Sequence, residues 1–235
     1  MLAAAVRITE DLPGLEKTLR LFQGLSTIAV GLAQTAEEQA IRARAVSQFA
    51  VSRRFFRLLK WYPCWSKASA AWSARQVTIG EDGKTRDPMD ANLDFWKWSI
   101  LGMYFFVEMF TITNAMGVTD YPVLKTVQNE ANKLWFYGLV ASIILSLYQL
   151  FLSSTGNDTA AANEKTSNPR SNTPFTTSNK ASALWEAIVI DACDLFLPGS
   201  SLGWLPVSTL VVGIAGTTST TVAGKQIWLR LRREQ

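Results

Sequence analysis

Histidine is absent from this chain of 235 residues, and cysteine occurs only twice, at Cys64 and Cys193. Without histidine the chain lacks the commonest general base and the commonest metal ligand. The two cysteines match no zinc or redox spacing, so small buried thiols are the simplest interpretation. No phosphate-binding loop, dinucleotide glycine pattern or nucleophile elbow is present either. The sequence therefore argues against an enzyme and predicts no cofactor and no metal.

Charged residues are scarce as well, at 18% of the chain against about 25% in soluble domains. Apolar residues make up 48%, and they include nine Trp and twelve Phe. The net charge of +4 is modest, so the positions of the basic residues matter more than their number. Residues 1–14 carry Glu10 and Asp11 and predict no secretory signal peptide. This composition favours a membrane protein.

Residues 39–80 hold eight basic side chains and no acidic one. On a helix, Ile41, Phe49, Phe56 and Leu59 share one face, whereas the cations fall together at least about a quarter-turn away. Such a helix can lie in a membrane interface with its rings at the acyl boundary and its cations among lipid phosphates. It can also dock on a protein core as an ordinary surface helix.

We develop the membrane interpretation of this stretch, because a docked helix seldom carries so many cations without a compensating carboxylate. The expected membrane-inserting face consists of Ile41, Phe49, Phe55, Phe56 and Leu59. The expected lipid-headgroup ligands are Arg42, Arg53, Arg54, Arg57 and Lys60. The helical pattern runs to about residue 62, where Pro63 forbids simple continuation.

Three apolar segments follow. Residues 134–152 are uncharged and have about the length that crosses a bilayer core of roughly 30 Å. Residues 195–224 are uncharged too, and their continuous part predicts a second span at about 205–224. Residues 93–118 are aromatic but contain Asp94, Lys97 and, in mid-helix, Glu108, so we expect a helix that packs on protein or lies at the interface. The sequence thus predicts an all-α membrane protein with cytosolic amphipathic helices and two transmembrane helices.

Composition divides the chain into regions. We predict a cytosolic amphipathic region at 1–80, a loop at 81–92, a flexible polar linker at 153–182, a C-terminal apolar region at 183–224 and a basic tail at 225–235. Small residues in the last span favour close helix packing. The glycines expected to serve this packing are Gly199, Gly203, Gly213 and Gly216.

Charge asymmetry predicts the orientation. Residues 153–194 hold three basic and five acidic side chains, whereas the tail after the second span holds four cations. The positive-inside rule then predicts a multi-pass protein with both termini in the cytosol.

Three separated stretches resemble the peroxin-eleven family of peroxisomal membrane proteins. Residues 14–23 (GLEKTLRLFQ) are similar to that family's acidic-Lys-x-x-Arg-x-x-Gln helix, and residues 52–60 (SRRFFRLLK) are similar to its Arg-rich second helix. The third stretch comprises residues 194–198 (DLFLP), 202–204 (LGW), 213–219 (GIAGTTS) and 226–228 (QIW). Residues 217–219 read TTS where the family more often has serines.

This resemblance implies a multi-pass protein of the peroxisomal membrane that promotes peroxisome elongation, proliferation and fission. It also implies self-association, recruitment of the fission machinery, and binding of the Arg-rich stretch by the import receptor for peroxisomal membrane proteins. Apart from this resemblance, the residues themselves suggest a mechanism. A helix wedged into one leaflet of a phospholipid membrane takes up headgroup area more than tail area and favours positive curvature.

Two other functions stay open on the sequence alone. Glu108 and the Gly-, Ser- and Thr-rich last span can line a polar path, so the alternative is a small-metabolite pore or channel of the peroxisomal membrane. A basic helix can also bind nucleic acid, but its neighbours are predicted spans, so no nucleic-acid partner is expected.

Overall fold

The computed structural model describes residues 8–76, 87–163 and 174–233. Within these ranges the chain is almost entirely helical and contains no strand, which confirms the all-α fold class. The helices are α1 (Leu12–Gly31), α2 (Ala36–Phe55), α3 (Trp61–Gln76), α4 (Pro88–Phe110), the single turn α5 (Ile112–Ala115), α6 (Pro122–Asn163), α7 (Pro174–Ser201) and α8 (Thr209–Arg233). Most of the predicted loop at 81–92 lies outside the described residues.

Polar side chains cap the N-termini of three helices. The Asp11 carboxylate accepts from the Gly14 amide at 3.1 Å at the start of α1, and the Asp87 carboxylate accepts from the Met89 amide at 2.9 Å at the start of α4. Thr35 does the same for α2, accepting from the Glu38 amide at 3.2 Å. Each cap satisfies a backbone donor that has no partner inside the helix. Each of these helix starts is therefore determined by residues close to it in sequence.

The basic helix ends earlier than the periodicity predicts. Helix α2 stops at Phe55, residues 56–60 form turns, and α3 begins at Trp61. In the turns the amides of Arg57 and Lys60 donate to carbonyls three residues back, at 3.0 Å each. Pro63 does not cause the break, because it is the third residue of α3, where a missing N–H costs no helical bond.

Helix α1 contacts one helix that is near to it in sequence and one that is far away. It packs between α2, which follows it directly, and α8, which is last in the chain. Beyond α8 come α7, α6, α4 and α3, each packed on the one before it. Helices α1 and α8 are antiparallel, because Gly31 lies against Leu210 and Gly24 against Thr217. The predicted N-terminal region at 1–80 is thus packed against the predicted C-terminal apolar region at 183–224.

One helix in the described part of the chain is long and apolar enough to cross a bilayer. It covers Pro122–Leu152 within α6, and 28% of its most apolar window is buried, so most of that surface is open to the surroundings. This segment contains the first predicted span, 134–152. The second predicted span, 205–224, does not reach that apolarity, because Gly, Ser and Thr side chains contribute little apolar surface. The structure therefore does not confirm two transmembrane helices.

Two other regions differ in extent from the prediction. Helix α6 continues to Asn163 and α7 begins at Pro174, so helix covers much of the predicted linker at 153–182, of which residues 164–173 lie outside the described chain. Residues 93–118 fall in α4, α5 and the turn after them, with α4 packed between α3 and α6. The Tyr104 ring of α4 stacks on the Trp135 ring of α6 with centroids 5.5 Å apart.

Two glycines of α8 allow a matched test of the α1–α8 contact. A Cβ on Gly213 would lie 2.7 Å from the Ile28 backbone nitrogen of α1, whereas a Cβ on Gly224 would meet no atom within 4 Å. Gly213→Ala should therefore destabilise the bundle by about 1 to 3 kcal/mol through overpacking. Gly224→Ala should stabilise it by about 0.5 to 1 kcal/mol through helix propensity. Thermal unfolding in detergent micelles compares the two variants, and equal effects would contradict the close packing.

Candidate functional site

The surface of the bundle is rich in large apolar side chains. Exposed ones occur on nearly every helix, for example Phe22, Phe110 and Phe151. Monomeric soluble proteins rarely expose such extensive apolar surface, and a surface of this kind marks a site for membrane or protein. The outside of the molecule thus suits a hydrophobic environment.

The interior, in contrast, contains charge. Glu16, Arg20, Arg53, Glu108 and Asp194 are all buried, with 4% to 7% of each residue exposed. Burying a charge is strongly unfavourable unless it is paired and hydrogen-bonded. These side chains and their partners form three clusters of ion pairs and hydrogen bonds.

The first cluster centres on the Glu16 carboxylate of α1. Arg53 donates to one of its oxygens at 3.4 Å, and the Lys60 ammonium lies 3.5 Å from the other. The Arg53 guanidinium also donates to the Gln23 side-chain oxygen at 2.5 Å. Burial by itself would raise the pKa of Glu16, but the positive charges of Lys60, Lys17 and Arg53 together lower it to about 2. Glu16 is therefore ionised and ties α1 to the end of α2.

The second cluster centres on the Glu108 carboxylate of α4. One of its oxygens lies 3.1 Å from an Arg57 nitrogen and 3.6 Å from an Arg54 nitrogen. The Tyr104 hydroxyl donates to the same oxygen at 2.9 Å and accepts from Arg57 at 3.2 Å. Burial raises the pKa of the Tyr104 phenol, so it stays protonated and able to donate. This cluster joins the break after α2 to α4.

The third cluster links the two ends of the chain. Arg20 of α1 forms a buried ion pair with Asp194 of α7, and the same guanidinium nitrogen donates to the Ser219 hydroxyl of α8 at 3.2 Å. Three helices therefore meet at one guanidinium. Arg20 belongs to the stretch 14–23, and Asp194 and Ser219 belong to the C-terminal stretch that carries the family resemblance. The resemblance thus coincides with residues that the fold brings together.

The predicted membrane-inserting residues mostly lie on the surface. Ile41 is 60% exposed and Leu59 71% exposed, and Phe55 and Phe56 are exposed as well. Phe49 is partly buried, because its ring stacks on the Phe22 ring of α1 with centroids 5.7 Å apart. Their insertion into a membrane stays a prediction.

The predicted headgroup ligands instead face other protein groups. Arg53, Arg54, Arg57 and Lys60 all pair with Glu16 or Glu108, as described above. Arg42 donates to the Ala29 carbonyl at 2.7 Å and to Glu38 at 3.1 Å. The sequence argument missed these carboxylate partners. Glu108 was visible as a carboxylate within the apolar part of a helix, but nothing local pointed to the pairing of Glu16.

The four predicted packing glycines have different surroundings. Gly213 faces α1 closely, whereas a Cβ on Gly216 would make only an ordinary contact, 3.7 Å from the Leu197 side chain of α7. A Cβ on Gly199 would meet the Leu205 side chain, so this glycine allows the chain to fold back after α7. Gly203 has φ 72°, which a side chain disfavours, and serves the same turn. These contacts lie within one chain.

A family model described as peroxisomal biogenesis factor 11 (PEX11) matches residues 2–228. Comparison with curated proteins and with solved structures gives no match. In the described residues no group of three or more His, Cys, Asp or Glu side chains is placed to hold a metal ion.

The Glu16 cluster predicts a dependence of stability on pH. The pKa of Glu16 falls from 4.5 to about 2 on folding, which corresponds to about 3 kcal/mol at 1.36 kcal/mol per unit. Because the folded-state pKa is the lower one, this stabilisation is complete above about pH 4.5 and disappears as the pH falls to 2. Unfolding temperatures in micelles should therefore drop less steeply over this interval for Glu16→Gln than for the unaltered chain. Parallel curves would contradict the pairing.

Proposed function

The chain belongs to the PEX11 family, and from this membership and its exposed apolar surface we propose that it remodels the peroxisomal membrane. Family membership supports a role in peroxisome proliferation and division at the level of the family. The finer proposal is that the chain elongates the membrane by inserting an amphipathic segment into one leaflet and so promotes fission.

The observation that carries this mechanism is a group of exposed apolar side chains at the end of α2, the following turns and the first residues of α3. We call this group the apolar edge, and it consists of Phe55, Phe56, Leu59 and Tyr62. Large side chains exposed this closely together in sequence are unfavourable in water and suit the boundary between headgroups and acyl chains. The partly exposed cations Arg54 and Lys60 lie beside it.

Insertion of the apolar edge would have a mechanical effect. Rings that enter only to the acyl boundary displace headgroups more than tails, and the leaflet responds with positive curvature. Each exposed cation near an anionic surface adds about 1 kcal/mol to the attraction. One copy bends the membrane little, so self-association would be needed to sum the effects of many copies.

Helix α6 would anchor the protein while the apolar edge inserts. Its long, largely unburied apolar stretch suits a span of the bilayer. We keep the second span at 205–224, the multi-pass topology and the cytosolic termini as parts of the proposal, supported by the distribution of positive charge. The import receptor for membrane proteins and the fission machinery remain proposed partners.

A pore is the less favoured function. A pore would need Glu108 and the Gly-, Ser- and Thr-rich last span to line a polar path. Glu108 instead binds Arg54, Arg57 and Tyr104 in the interior of the bundle. No contact in the described part of the chain favours transport over remodelling.

The wedge mechanism predicts a specific loss. Phe55→Asp combined with Phe56→Asp should abolish tubulation of anionic vesicles by the reconstituted full-length protein, because charged side chains do not enter the acyl boundary. Ser47→Asp combined with Gln48→Asp is a matched control, since it adds the same charge to exposed positions of α2, the helix that ends at Phe55. Electron microscopy of the vesicles measures tubulation. Undiminished tubulation by the phenylalanine variant would rule out the wedge.

The topology is tested separately. Epitope tags at the two ends of the chain should both be removed by protease added to intact peroxisomes, because both termini are proposed to face the cytosol. A tag within residues 164–173, between α6 and α7, should be protected until detergent is added. Protection of one terminal tag would exclude two spans with cytosolic ends.

A further inference from the structure

The cations proposed to bind lipid headgroups already have protein partners. We propose that Glu16 and Glu108 act as a carboxylate clasp, which holds Arg53, Arg54, Arg57 and Lys60 inside the bundle until an anionic membrane competes for them. This inference rests on the proposed function and adds its regulation. In the clasped state the chain presents the apolar edge, but most of its cations point to protein.

The contacts make clasping and headgroup binding mutually exclusive for most of these side chains. A guanidinium that donates to a carboxylate cannot direct the same N–H groups to a phosphate. Arg57 is the clearest case, because it donates to both the Glu108 carboxylate and the Tyr104 hydroxyl. Arg53 is 4% exposed and has Glu16 and Gln23 as partners. Headgroup binding therefore requires these pairs to open.

The clasp is also incompletely neutralised. Four cations share two carboxylates, so the group keeps two uncompensated positive charges. An anionic headgroup is attracted to such an excess, and the attraction is stronger beside an apolar region than in water. Lys60, whose side chain is 43% exposed, is the most accessible of the four. It would meet a headgroup first and leave Glu16 with one fewer counter-charge.

Two of the four clasped cations lie outside regular helix, whereas Arg53 and Arg54 belong to the last turn of α2. Arg57 and Lys60 lie in the turns at 56–60, whose amides bond three residues back rather than four. The same short segment carries Phe56 and Leu59 of the apolar edge. Insertion of these side chains would therefore displace the clasped cations of the same segment, and opening of the clasp would let the segment enter the membrane interface more deeply. The two events are linked, and linkage works in both directions.

Distance measurement between spin labels tests the clasp in the full-length protein. Labels are attached at Gln48→Cys of α2 and Met116→Cys after α5, both exposed positions, in a chain whose Cys64 and Cys193 are replaced by Ala. Opening should add a longer distance in bilayers that contain phosphatidylserine, and the shorter one should persist in pure phosphatidylcholine. A distance distribution that does not respond to phosphatidylserine overturns the proposal. This measurement requires no substitution of a clasp residue.

Substitution of the carboxylates gives a second arm. Glu16→Gln combined with Glu108→Gln should raise the ratio of open to closed chains in pure phosphatidylcholine at least about fivefold, the lower end of typical site-to-site coupling. The control Glu130→Gln with Glu186→Gln removes two carboxylates that pair with lysines outside the clasp and should leave the ratio unchanged. Equal effects of the two variants would overturn the proposal. Circular dichroism identifies a variant that has unfolded, in which case the lipid arm decides.

Two further readouts separate the possible outcomes. Inorganic phosphate added to phosphatidylcholine bilayers should leave the clasp closed, and opening by phosphate alone would overturn the assignment to a lipid surface. Tubulation is measured on the same samples. Tubulation with an unchanged distance between the spin labels would contradict the clasp but agree with the proposed function. Opening without tubulation would support the clasp and contradict the proposed function.

Discussion

The pairing of buried cations with Glu16, Glu108 and Asp194 is the interaction on which the arrangement of this bundle depends. Each carboxylate joins residues that are at least 37 positions apart in sequence, and the Arg20–Asp194 pair holds the first long helix against the seventh. An unpaired charge at any of these positions would be strongly unfavourable, because the surrounding side chains exclude water. The clusters therefore restrict how the helices can pack. They also determine which cations remain available to a partner outside the protein.

The apolar surface and the ionic interior have a common explanation in a membrane environment. In a bilayer, helices gain nothing by hiding apolar side chains from lipid, so packing and polar contacts hold them together. The close approach of α1 and α8 at Gly24 and Gly213 and the guanidinium of Arg20 are contacts of this kind. Intramembrane charge is tolerated when it faces the interior of a bundle and is paired. The PEX11 family, to which the chain belongs, is a peroxisomal one, which agrees with this picture.

Much of the fold was predictable because its signals are local. The caps at Asp11, Thr35 and Asp87 and the uncharged run in α6 depend on residues within a few positions of each other, and the family resemblance is confirmed by the match to residues 2–228. The end of α2 was not predictable in this way. Periodicity continues through residues 56–60, but the chain turns there, and the side chains of Arg57 and Lys60 point to carboxylates 51 and 44 positions away.

The sequence alone predicts a helical, membrane-suited protein that is related to one family, because composition and short motifs carry that information. It also determined which side chains of the basic stretch are apolar and which are cationic. The direction in which the two faces point is visible in the folded bundle and not in the sequence. An amphipathic helix buries its charged side when carboxylates of other helices pair with its cations. The positions of those helices cannot be predicted from a local sequence pattern.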